Sequence, residues 1–111
     1  MNFTIMHQDE PVAEIYVSGD KTETKIRKLI PDGIKQPFSG NTYNILRLYR
    51  FLKDRCYEDC RYDLPDILEE ANMESNNPWE WIKVSHGVTY EDFFWIRFPG
   101  EDLTWKDVRV R

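Results

Sequence analysis

The chain has 111 residues, 15 Lys+Arg against 20 Asp+Glu, and a net charge of −5 at neutral pH. That length suits one domain over residues 1–111, since domains usually run to roughly 100–150 residues. A hydrophobic content of 41% with 14% aromatics excludes a disordered chain, and the acidic balance opposes the phosphate attraction behind general DNA or RNA binding.

The longest uninterrupted apolar run is residues 93–96, far short of the roughly 20 residues of a membrane helix or the roughly 7–15 of a signal-peptide core. Cys56 and Cys60 are the only cysteines, too few for a disulfide-stapled secreted scaffold. A cytoplasmic protein with no membrane partner is the expectation.

In chain order, residues 3–6 and 12–18 predict a hairpin around His7-Gln8-Asp9-Glu10-Pro11. In its second strand Val12, Glu14 and Tyr16 alternate with Ala13, Ile15 and Val17. Residues 24–30 add a third strand closed by Pro31, and Pro31, Gly33, Pro37 and Gly40 punctuate the loop that follows. Asn41 or Thr42 is expected to cap a helix over residues 43–55, where Ile45, Leu48, Tyr49 and Leu52 recur at i, i+3, i+4 and i+7.

A second, acidic helix is predicted from an Asp63 N-cap, with Pro65 in its first turn and a stop near Asn72. Asn77-Pro78 opens a third helix carrying Trp79, Trp81, Ile82 and Val84, with Gly87 as the stop. A strand reading of residues 81–84 stays open. Residues 93–98 predict the last strand, and Thr104-Trp105-Lys106-Asp107 has the form of a capping box opening one final turn. The expected fold class is α+β: a small antiparallel sheet, made of an N-terminal three-strand meander plus a C-terminal strand, packed with two to three short helices.

Catalytic and cofactor signatures are scarce. Cys56 and Cys60 would share a helix face if the first helix continued, but His7 and His86 are single and remote, and structural zinc sites need two close ligand pairs. A nucleophilic Cys56 would have only His86 as base, with no orienting third member. Pro31-Asp32 and Pro65-Asp66 suggest a metal-dependent nuclease, but the sole acid-x-Lys, Glu23-Thr24-Lys25, lies upstream of both. The glycines are isolated, so there is no phosphate cradle. We therefore expect no catalytic residue, no metal and no cofactor.

Three surfaces remain. Arg47, Arg50, Lys53, Arg55 and Arg61, interleaved with Tyr49, Tyr57 and Tyr62, could contact phosphates or stack on bases, although a solvated helix face pairing with Asp54, Glu58 and Asp59 is the commoner use of such residues. Residues 63–92 hold one lysine against eight acids, more than solubility demands. Asp63, Asp66, Glu69, Glu70, Glu74 and Glu80 of that stretch could imitate a phosphate track and occupy a basic groove; a helix would line up Asp66, Glu69, Glu70 and Glu74. Four tryptophans are many for this length. Core packing accounts for about three, and an exposed indole, for which Trp79 is the candidate, would anchor a partner.

Asp54-Arg55-Cys56, Arg61, His86-Gly87-Val88, residues 92–98, Gly100, Leu103-Thr104-Trp105 and Asp107-Val108 together resemble a family of small bacterial proteins typical of gut Gram-positive genomes and their mobile elements. Part of this pattern, an aspartate before the Phe94-Trp95-Ile96 strand and the Leu103-x-Trp105-x-x-Val108 ending, is similar to the module that precedes HipA-like serine/threonine kinase domains, as is the opening Met6-His7 with Pro11-Val12-Ala13. The sequence stops at Arg111 without a kinase glycine loop or catalytic aspartate, so the resemblance implies a non-catalytic module. A Trp pair of the fused form is replaced here by Tyr49 and Phe51.

The expected function is a protein-binding module, specifically a mobile-element inhibitor of host nucleic-acid machinery, CRISPR or other defence, acting through Asp66, Glu69, Glu70, Glu74, Glu80 and Trp79 on a partner with a basic surface. The alternative is a regulatory or target-binding module working with a HipA-like kinase. Direct nucleic-acid binding through the Arg47, Arg50 and Arg55 helix is the less favoured reading.

Overall fold

A computed structural model describes residues 1–40 and 44–110. Three strands, β1 (Asn2–His7), β2 (Glu10–Val17) and β3 (Thr24–Lys28), form the meander, and β4 (Phe94–Arg97) pairs antiparallel with β1. The resulting four-stranded sheet has the order β3-β2-β1-β4. Four short helices accompany it: α1 (Ile45–Lys53), α2 (Leu64–Glu70), α3 (Pro78–Ser85) and α4 (Trp105–Val108). The fold is therefore α+β, with one helical turn more than the two to three helices expected. Residues 81–84 lie in α3, which excludes their strand reading. No helix among the described residues is long and apolar enough to cross a membrane.

Strand alternation builds the main core. Phe3, Ile5, Ala13, Ile15 and Ile26 are buried on one face, with Phe3 opposite Ile15, Ile5 opposite Ala13 and Ile15 opposite Ile26. Leu48 and Leu52 of α1 and Trp79 and Ile82 of α3 pack into the same cluster with Phe38. The opposite face carries Thr4, Glu14, Lys25 and Arg27, and Arg27 and Glu14 form an exposed cross-strand ion pair at 2.9 Å.

Val12 departs from simple alternation, which assigns it to the outer face with Glu14 and Tyr16. The register shifts between Ile5 and Met6, where Ile5 pairs with Ala13 and Met6 with Pro11. Val12 is the extra residue of this bulge, so both Val12 and Ala13 are fully buried. On β4, Ile96 sits opposite Ile5 while Trp95 sits opposite Met6. All four are buried, so this end of the sheet is covered on both faces.

The helix boundaries follow capping chemistry. Asn44 caps α1, its side chain accepting from the Arg47 amide at 3.0 Å. The cap expected at Asn41 or Thr42, and a start at Tyr43, lie outside the described residues. Instead of running to Arg55, α1 ends at Lys53, and the Arg55 and Cys56 amides turn back onto the Leu52 and Lys53 carbonyls. Asn77 caps α3, and its C-cap is His86 at φ 55°, one residue before Gly87 at φ 66°. Thr104 and Asp107 complete the capping box of α4, with both Thr104 donors on one Asp107 oxygen at 2.8 and 3.0 Å.

Candidate functional site

The acidic segment is held from both sides. Asp63 precedes α2, but its carboxylate binds the Arg61 guanidinium rather than a helix amide. Leu64 is buried, Ile67 and Leu68 are half-buried, and Asp66, Glu69 and Glu70 are exposed on the remaining surface of α2. The helix ends at Glu70 and Asn72 turns left-handed at φ 57°. Glu74 therefore lies in the following loop and not on the helix face expected for it. Glu80 is on α3, 3.5 Å from Lys83.

Asn76 secures that loop, and sequence reasoning did not single it out. Its amide nitrogen donates to the Tyr57 carbonyl at 3.0 Å and to Asp59 at 2.7 Å, while its oxygen accepts the Trp81 indole at 2.7 Å. An open groove of 710 Å³ runs between α2 and the preceding turn, with Tyr62, Leu68 and Met73 on its walls and Glu69 and Glu74 at its margin.

The electrostatics of α2 are unfavourable within the chain. Asp66 suits the first turn, but Glu69 and Glu70 sit at the negative end of the helix dipole, where no basic residue accompanies them. None of Asp66, Glu69, Glu70 and Glu74 makes an ion pair among the described residues.

The basic residues behave differently. Arg47 donates to the Ser39 carbonyl at 2.8 Å and lies over the Phe38 ring. Lys53 binds Asp59 at 2.8 Å; this hydrogen bond, followed by that from Asn76, holds the Asp59 carboxyl below its ordinary value. Arg61 is paired with Asp63 and stacks over Tyr57. Arg50 is exposed, with no side-chain partner among the described residues.

Arg55 overturns its placement on a basic helix face. It lies beyond α1 and is only 9% exposed. Its guanidinium forks onto both Asp92 oxygens, its Nε donates to the Gly87 carbonyl, and Nη2 reaches the Phe94 carbonyl at 2.8 Å. The rings of Phe51 and Phe94 flank it at 5.0 and 6.0 Å. Burial pushes the Asp92 carboxyl up, but the hydrogen bond and charge of Arg55 outweigh it and leave the group below its ordinary value.

Consecutive left-handed residues at His86 and Gly87 aim their carbonyls at this node, His86 accepting from the Ile96 amide at 2.7 Å and Gly87 from Arg55. A Cβ on Gly87 would stand 3.1 Å from Ile96 Cδ1. Asp54-Arg55-Cys56, His86-Gly87-Val88 and Asp92-Phe93-Phe94 thus converge on a brace joining the end of α1, the end of α3 and the start of β4.

The remaining candidates are dispersed. Cys56 is half-buried, donates to the Leu52 carbonyl and has its thiol pushed up to about 11 by burial, whereas Cys60 is exposed. His86 binds Glu101 at 2.9 Å, and His7 packs against the Phe93 and Phe94 rings. Among the described residues no group of three or more His, Cys, Asp or Glu could hold a metal ion. Trp79, Trp81 and Trp95 are buried at 9%, 6% and 0% exposure. Trp79 therefore faces the core, and the half-exposed indole is Trp105, edge-on to Phe93.

Comparisons with protein-family models, with curated proteins and with solved structures return no match. The functional reading rests on the arrangement of charge and apolar surface.

Proposed function

We propose that this chain is a non-catalytic protein-binding module that docks the acidic surface of α2 and its following loop onto a basic groove of a protein partner. The specific form is an inhibitor of host nucleic-acid machinery, such as a defence nuclease, in which carboxylates take the place of phosphates. One observation carries the reading: Asp66, Glu69, Glu70 and Glu74 are exposed and unpaired among the described residues, while Arg47, Lys53, Arg55 and Arg61 are engaged within the chain. A basic partner would relieve the repulsion that α2 carries alone, at no cost in internal ion pairs.

The test begins with affinity capture from host lysate and continues with binding kinetics for the captured protein at low and moderate salt. Glu69→Lys with Glu70→Lys should slow association by roughly tenfold and flatten its salt dependence, because steering charges act on the encounter rate. Arg50→Glu is the matched control, since Arg50 has no side-chain partner among the described residues to lose, and it should leave the rate unchanged or raise it. If the acidic pair binds as wild type while Arg50→Glu loses binding, a nucleic-acid ligand replaces the basic protein. Recovery of a HipA-like kinase would instead favour a regulatory module.

A further inference from the structure

A second surface lies beyond the turn that holds Arg61. A cleft of 610 Å³ opens between residues 54–61, α3, the 88–91 loop and Val110 near the C-terminal end, within the range of about 300–1,000 Å³ typical of binding pockets. Its floor is apolar: Tyr57 and Trp81 meet edge to face at 5.2 Å, and Val84 and Val88 continue the surface towards Tyr90. Trp81 is buried and fixed by Asn76, but Tyr57, Val84 and Tyr90 are 40%, 61% and 69% exposed. Isolated exposed apolar residues are ordinary, whereas these line one concave surface, the usual form of a binding site.

The rim sets the charge of the occupant. Asp54, Glu58 and Glu91 line the cleft, are exposed, and make no ion pair among the described residues. Among the described residues the lining cations are Arg55 and Arg61, each already paired, with Asp92 and Asp63. An apolar floor inside an uncompensated acidic rim is complementary to an apolar stripe flanked by cations. We infer that this cleft is a docking site for a short basic amphipathic segment of a protein partner. The cleft adjoins the groove beside α2, with Arg61 lining both, but its apolar floor contains no residue of α2 and the inference does not depend on the function proposed for that surface.

The probe is a labelled synthetic helical peptide with Leu at i, i+4 and i+7 and Lys on the flanking positions, followed by fluorescence anisotropy against the full chain. A counterpart with Glu at the flanks reports the charge requirement. The decisive variant is Val84→Asp. It changes an exposed residue and adds a negative charge, so a purely electrostatic association would strengthen, and only apolar docking would weaken.

The expected result is saturable binding of the Lys peptide, at least roughly tenfold weaker for the Glu peptide and roughly tenfold weaker again for Val84→Asp. Glu69→Lys with Glu70→Lys should bind the Lys peptide as wild type does, and circular dichroism should show both variants folded. Absence of saturable binding, equal affinity for the two peptides, or wild-type affinity in Val84→Asp would overturn the inference. Loss of binding in the Glu69/Glu70 variant with retention in Val84→Asp would place the peptide on α2 instead. A concentration-dependent dimer in sedimentation, abolished by Val84→Asp, would assign the cleft to a second copy of the chain and also overturn it.

Discussion

Arg55 shows how a residue that reads as surface charge becomes structural. A guanidinium offers a rigid fork of donors, and here they bind a carboxylate and two backbone carbonyls on elements distant in sequence. Arg55→Met should cost about 3 kcal/mol in urea denaturation, because it removes the donor to the Gly87 and Phe94 carbonyls and leaves the Asp92 carboxylate with only the Phe94 amide. Arg55→Lys should recover only part of that, since an ammonium cannot bridge all three acceptors.

The pH dependence follows from the same contact. A carboxyl held below its ordinary value in the folded chain binds protons less readily than in the unfolded chain, so its stabilisation is complete above the ordinary value and lost as pH falls through the lower, folded one. For Asp92, and for Glu101, where burial is outweighed by the His86 hydrogen bond and the Phe98 amide, that loss sets in as pH falls below their ordinary values of 3.8 and 4.5. Melting temperatures between neutral pH and pH 3 should fall less steeply for Asp92→Asn, from a lower neutral starting point.

The thiols offer a third check at this scale. With the Cys56 thiol at about 11, only about one part in a thousand is thiolate at pH 8. Iodoacetamide should therefore modify the exposed Cys60 first and reach Cys56 only slowly in the folded protein, as followed by mass spectrometry. Equal rates would contradict the burial of Cys56.

At the level of elements, β4 and α4 carry the clearest consequences. Trp95 is fully buried and its indole donates to the Gln8 carbonyl at 2.6 Å. Trp95→Ala should cost roughly 3–5 kcal/mol, the range for a large buried aromatic; a loss below about 1 kcal/mol would contradict its placement. The α4 turn has no buried residue and depends on its cap and on the Trp105 amide, which donates to Asp9 at 2.9 Å. Thr104→Ala should cost about 1 kcal/mol and raise amide exchange across residues 105–108 without altering the sheet.

Among the elements, those signalled within a few residues were legible in advance. The hairpin, the Asn77-Pro78 start and the Thr104-to-Asp107 box each rest on contacts between near neighbours. Where α1 stops was not legible, because no glycine or proline marks it; the chain turns as Arg55 engages groups that arrive 32 to 39 residues later. Val12 was assigned to the wrong face because a bulge adds one residue to a period of two.

Across the whole molecule, the same division governs the candidate surfaces. Residue types and their spacing settled the fold class, most elements and the excess of acid over residues 63–92, because periodicity, caps and composition are properties of adjacent residues. They could not say which charges have partners. Arg47, Arg50 and Arg55 look equivalent along a helix, yet one binds a loop carbonyl, one is left in solvent, and one is buried on Asp92. Glu74 has the spacing to extend the acidic helix face, and the left-handed turn at Asn72 removes it. The apolar cleft joins residues 54–61 with residues 81–91 only after α1 and α3 have packed together. Each of these outcomes depends on which distant segments meet in space, and the range of a local sequence signal ends within a turn or two of chain.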